Sequence, residues 1–191
     1  MTNRPDPYDT RTLLTWLAAQ QRRVLGILDG LDEEDLLRPV LPSGWSCAGM
    51  VRHLTVGTTF WFAEVMAGRP VDHRDDPDDD FTVPDEMPAS AVLRRYREQV
   101  RETAGLVSGL PPHTPPAWWP EGMFGDWRLD DLAEVLLHVL VETACHAGHL
   151  DAARELIDGR TWDYARGRLS EPEPLGSPDG SYGTPRRAQA I

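Results

Sequence analysis

Cysteine, long apolar runs and positive charge are all scarce in this chain. Cys47 and Cys145 are the only two cysteines in 191 residues, so no disulfide framework holds the fold together. No apolar run reaches the roughly 18 residues that a membrane span needs. The segment Met1 to Thr10 is polar, contains two prolines and lacks the apolar core of a signal peptide. Bases are outnumbered by acids, 19 to 31, which leaves a formal charge of -12. A duplex-binding protein needs clustered Lys and Arg to displace counterions from phosphate, so nucleic acid is not an expected partner. An anionic membrane surface is disfavoured for the same reason. Also missing is the apolar–polar alternation of a strand. These absences predict an all-α protein of the cytoplasm with reduced thiols.

What is present is helical periodicity in four segments. The first runs from about Tyr8 to Leu31, with Leu13, Trp16, Leu17, Val24, Leu25 and Leu28 as its apolar stripe and Asp9 or Thr10 as its cap. The second runs from about Ser46 to Ala67, with Ser46 as N-cap and Gly68 with Pro70 as its stop. The third spans about Ala89 to Leu110. The fourth spans about Leu129 to Ile157 and is apolar nearly all round from Val135 to Val141, the pattern of a central buried helix. Two connectors are long. Arg69 to Pro88 is rich in Asp and Pro, and its stretch Asp72 to Asp80 lacks the Gly and terminal Glu of a calcium loop, so it reads as a solvated acidic loop. Pro111 to Trp127 is rich in Pro and Trp. Residues 1–159 are expected to form one bundle domain, and residues 160–191, rich in Pro, Gly and Ser, an irregular tail.

The fourth segment carries His138, Glu142, His146 and His149. At about 100° per residue these fall within roughly 80° of one another, a polar stripe on an apolar helix. Grouping ionisable side chains on a buried face is costly unless they pair or bind a metal. Glu142 and His146, four apart, can reach one ion, and His53 on the second helix is a further candidate. Two His and one carboxylate are the ligand set of a catalytic zinc, with one position left open. Ion pairing between Glu142 and the histidines is the competing account. His138 is one turn before Glu142 and deeper in the bundle. His149 either lines the site, as a group behind the ligands or a proton shuttle, or caps a loop carbonyl. His73 and His113 read as surface residues. Cys145 points about 100° away from His146. Cys47 sits in the first turn of its helix, where the helix dipole can lower a thiol pKa, although both cysteines read as small packed residues rather than nucleophiles.

The segments "GWSCAGMVRHL" (Gly44 to Leu54) and "WRLDDLAEVLLHVLVETACHAGHLDAARELIDG" (Trp127 to Gly159), in that order, resemble the DinB-like superfamily. The branch they resemble most is the actinobacterial one that includes the mycothiol-dependent maleylpyruvate isomerase N-terminal domain and mycothiol S-transferases. The resemblance covers about Tyr8 to Gly159 and implies a DinB-like four-helix bundle with long connectors, often dimeric, with a metal between helices. It implies His53, Glu142 and His146 as the metal ligands, zinc as the usual metal and mycothiol as the thiol. Many members have His where this chain has Glu142. The isomerase has a second, C-terminal domain, where this chain has a short tail, so isomerisation of maleylpyruvate is not implied.

The expected activity is therefore metal-dependent transfer of a low-molecular-weight thiol to a small electrophile, with His149 assisting proton transfer. Trp45 and Trp127 are expected as walls of the substrate pocket, with Trp118 and Trp119 as further candidates; packing is the plainer account of each. Two other readings stand beside it: a hydrolase, lyase or isomerase using metal-bound water, and a non-catalytic metal-binding stress-response protein. A homodimer is expected from the family, but no exposed apolar stripe in the sequence identifies its face.

Overall fold

The helices begin where side chains can satisfy free backbone N–H groups. In the computed structural model, which describes residues 8–70 and 81–170, Asp9 caps α1 (Thr10–Ile27) by accepting from Thr12 N at 2.6 Å. Asp32 caps the short α2 (Glu33–Leu37), and Ser46 caps α3 (Cys47–Thr59) by accepting from Gly49 N at 3.0 Å. At the start of α5 (Leu132–Asp158), Asp131 accepts from Glu134 N and Glu134 accepts from Asp130 N, a reciprocal pair that fixes the first turn. Helix α4 (Ala89–Val107) begins after Pro88, which has no side chain to cap with; the Glu33 carboxylate on α2 accepts from Ala89 N at 2.5 Å instead. The acidic run 75–80, His73 and the tail beyond residue 170 lie outside the described residues.

The result is the expected all-α bundle, with three departures in its elements. Helix α2 was not expected; five residues are too few to show periodicity. The second expected helix is two, because α3 passes at Thr59 into a π-helix over Phe60–Met66. Thr55 and Thr59 each donate a hydroxyl hydrogen bond four residues back, to Val51 O and Thr55 O, a pattern that loosens and bends helices. Beyond it six consecutive residues, Trp61 to Met66, are buried. Third, a two-stranded antiparallel ribbon follows α5, with β1 (Trp162–Asp163) pairing β2 (Arg168–Leu169). Its Trp162 ring lies against Gly26 of α1, where any Cβ would collide with it.

The core has two parts. Val24, Ile27, Met50, Val51, Leu54, Tyr96 and Leu150 pack around one end. Leu13, Leu17, Trp61, Phe62, Val65, Leu132, Val135 and Val139 pack around the other. Helix α5 lies mainly against α1, and α3 mainly against α4; α3 and α5 meet along a third seam. Helix α5 is not buried all round, as its composition suggested: Leu137 is 37% exposed, Val141 64% and Leu156 60%. No helix among the described residues is long and apolar enough to cross a membrane.

Arg154 locks α5 to α1. It is 1% exposed. Its Nη1 donates to Ile27 O at 2.8 Å and Asp29 O at 2.9 Å, and its Nε and Nη2 grip both oxygens of Asp158. One planar guanidinium thus satisfies carbonyls freed at the end of α1 and a carboxylate one turn on. Burial alone would raise the Asp158 pKa, but the hydrogen bonds from Arg154 and from the Arg160 backbone, together with the charges of both arginines, outweigh it and the carboxyl titrates below its usual range. Arg154→Leu is expected to destabilise the protein by about 3 kcal/mol, because it orphans these groups. Arg154→Lys should recover little of it, since an ammonium cannot form the fork. Urea unfolding of both variants checks this; equal stability of Arg154→Leu and wild type would contradict it.

Candidate metal centre

The α3–α5 seam carries the chemistry. Around α5, Val139, Thr143, Ala147, Leu150 and Arg154 face the core. Glu142 and His146 fall at the edge of that face and turn toward α3, where His53 meets them. One ligand atom each from His53, Glu142 and His146 lies within 4.8 Å of the other two, with all three residues half-buried. His146 Nε2 is 3.2 Å from Glu142 Oε2, and the His53 and His146 rings meet edge to face with centroids 4.9 Å apart. That spacing and donor chemistry suit one divalent ion held by two imidazoles and a carboxylate. Such an ion would have room beside it. A cavity of about 90 Å³ opens onto His53 and Glu142, with Trp61, His138 and Thr143 in its wall.

The electrostatics favour neutral imidazoles. Burial holds His146 below the usual histidine pKa, with neighbouring His53 adding to the effect and Glu142 opposing it. Burial likewise depresses His138, against a smaller opposing pull from Glu142. A neutral ring offers its lone pair to a metal without first losing a proton. The outer nitrogen of His146 is engaged as well: its Nδ1 is 3.3 Å from Nδ1 of His149. If Nε2 of His146 faces a metal, Nδ1 carries the proton and donates it to His149, the usual support behind a metal-bound imidazole.

Other residues marked in the sequence are placed as follows. The Trp45 ring lies 6.3 Å from that of His149 and borders a cavity of about 400 Å³ that also touches Phe81. Trp127 packs 5.3 Å from His138 and 6.0 Å from Trp61, with 43% of its surface exposed. Trp119 is a core residue against Trp61, and Trp118 is exposed beside Phe60. His113 lies exposed in the loop before α5. Cys145 is exposed. Cys47 is not activated by its place in the first turn of α3: burial pushes its thiol up to about 11, and the nearby Arg154 only partly offsets this.

Phe81 is the residue that sequence reasoning missed. Its ring stacks on His53 with centroids 4.1 Å apart and planes 12° from parallel. It reaches there because Gly49, one turn before His53 on α3, has no side chain; a Cβ would collide with the carbonyl of Phe81. A glycine inside a helix costs about 1 kcal/mol relative to alanine. Gly49 was therefore a usable sign of close backbone approach, but nothing in the sequence said what approaches.

A family model described as Mycothiol-S-transferase matches residues 12–159. No curated protein and no solved structure matches the chain.

Phe81→Ala should weaken zinc binding by about tenfold, the lower bound for losing a group that orients a ligand. Gly49→Ala should do at least as much by displacing the Phe81 backbone. Competition against a chromogenic chelator measures the affinity, and circular dichroism verifies an intact bundle. Unchanged affinity in both variants would show that the stack does not position His53.

Proposed function

Because this chain belongs to the mycothiol S-transferase family, we propose that it is a metal-dependent thiol S-transferase that joins mycothiol to a small electrophile in the cytoplasm. The observation that carries the reading is the convergence of His53, Glu142 and His146 on one point beside a cavity. These three residues would hold a zinc ion and leave a coordination position open. A zinc ion bound there would lower the pKa of a thiol and keep it as thiolate at neutral pH. In the reaction the thiol gives up its proton, its sulfur bonds to the electrophilic carbon, and the leaving group departs with the electron pair.

The chain's own residues divide the remaining work. Phe81 and His149 hold the two histidine ligands in place, one by stacking on His53 and the other through Nδ1 of His146. His149 is exposed and can pass the thiol proton to solvent. Trp45 forms the wall on the His149 side, and Trp127 the wall on the His138 side. The functional unit is a homodimer joined through the outer face of α5. Leu137, Val141, Ala144, Cys145, Gly148 and Ala152 form a strip along this face with no charged residue among them. The strip is exposed at Leu137 and Val141, and a two-fold axis would bury it against its own copy.

Two experiments test this. Zinc-loaded protein should conjugate mycothiol to a bimane electrophile much faster than the uncatalysed reaction. Glu142→Gln and His53→Ala should each lose most of the bound metal and at least tenfold in rate. Metal-dependent hydrolysis without thiol transfer would favour the metal-bound-water reading. Stoichiometric zinc with no turnover across a thiol panel would favour the non-catalytic one, and either result would remove the transferase. Light scattering should give twice the mass of one chain for wild type and a single chain's mass for Val141→Glu; a monomeric wild type removes the dimer.

A further inference from the structure

Another cavity, of about 530 Å³, lies on the other side of the bundle between α1 and α4, well within the roughly 300–1,000 Å³ of small-molecule sites. It exists because the facing residues are small: Ala18 on α1 and Ala104 on α4 leave the gap unfilled, and the π-helix closes its floor with Phe62. Val100 adds to the apolar wall. It shares no lining residue with the cavity beside the metal centre.

One polar side chain in its wall has no protein partner among the described residues. Gln21 lines the cavity and is 6% exposed, yet its side chain makes no hydrogen bond within the described residues. Its amide is therefore a donor and acceptor left to solvent or to a ligand in the cavity. The charge around it is also unlike the rest of the molecule. In a chain of net charge -12, α1 carries Arg11, Arg22 and Arg23 and no acid. Arg11 and Arg22 line the cavity. Arg97 and Arg101 lie within about 60° of Ala104 around α4, which puts them on the same side. Since α1 and α4 run antiparallel, with Thr10 bonded to Leu110 O, these two fall near the Gln21–Arg22 end. None of Arg22, Arg97 and Arg101 has an ion-pair partner within the described residues.

We propose that this cavity binds a small organic anion with an apolar body, of the medium-chain carboxylate class. The body lies over Phe62, Ala18, Val100 and Ala104. The carboxylate lies at the Gln21–Arg22 end, where an amide and three unpaired guanidinium groups are available to it. Both acids of α4 lie on its other side: Glu98 and Glu102 fall 120° or more from Ala104.

The test is calorimetric titration of the full chain, with and without zinc, using sodium decanoate below its micelle concentration. Saturable binding of one decanoate per chain is expected in both forms, so the result is independent of the transferase reading. Acetate, which lacks the body, and decanol, which lacks the charge, should each bind at least tenfold more weakly. Arg22→Glu, an exposed substitution that leaves the core intact, should weaken decanoate at least tenfold. Ala104→Trp should abolish binding by filling the cavity. Absence of saturable binding to wild type would overturn the proposal. So would decanoate affinity unchanged by Arg22→Glu, or decanol binding as tightly as decanoate. Binding only to phosphatidylglycerol vesicles, with none to free decanoate, would overturn it in favour of a membrane contact.

Discussion

The rotation of α5 about its own axis decides what the rest of the molecule can do, and the Arg154 clamp holds that rotation. A guanidinium at 1% exposure cannot slide: its two forks are spent on carbonyls at the end of α1 and on Asp158. Asp151, one turn earlier, adds a second tie by accepting from Trp162 N and pairing with Arg23. With that end of α5 held against α1, positions 143, 147 and 150 face the core. Positions 142 and 146 then fall beside α3. A rotation of one residue, about 100°, would turn Glu142 and His146 away from His53.

The candidate metal centre sits where the two parts of the core meet, between Val139 of one and Ala147 of the other. Half-burial there is a compromise. It is deep enough to hold His138 and His146 below their usual pKa and keep the imidazoles neutral. It is also open enough for a small cavity beside His53 and Glu142. Ion pairing alone accounts for the 3.2 Å contact between His146 and Glu142. It does not account for His53, a third donor brought in from another helix and held by the Phe81 ring.

The α3–α5 and α1–α4 seams are packed differently, and the π-helix touches both. Trp61 lines the cavity beside the metal centre, and the next residue, Phe62, floors the cavity between α1 and α4. Large aromatic side chains gather on the side of Trp61, where Phe124, Trp119 and Trp127 pack around it. Alanines face each other across the α1–α4 seam, and a space remains.

The sequence by itself determined the four long helical segments, the cap Ser46, the choice of Asp9 or Thr10 as the first cap, and Glu142 and His146 as candidate ligands on one face. Each is a local or periodic signal: a cap lies next to the helix it starts, and ligands four apart share a helix face. The pairing of His53 with that face came only through resemblance, since no spacing links residue 53 to residue 142. Tertiary structure alone decided the rest. Arg154 looks in the sequence like any helical arginine, because its partners at Ile27 and Asp29 lie over a hundred residues away. Phe81 reads as a loop aromatic until Gly49 admits its backbone to α3. Helix α5 looks buried from its composition, yet Val141 faces outward, because the clamp at Arg154 commits the opposite side to the core. Contacts between residues distant in the chain depend on how the helices are turned against one another, and that is set by packing of the whole bundle rather than by any segment of it.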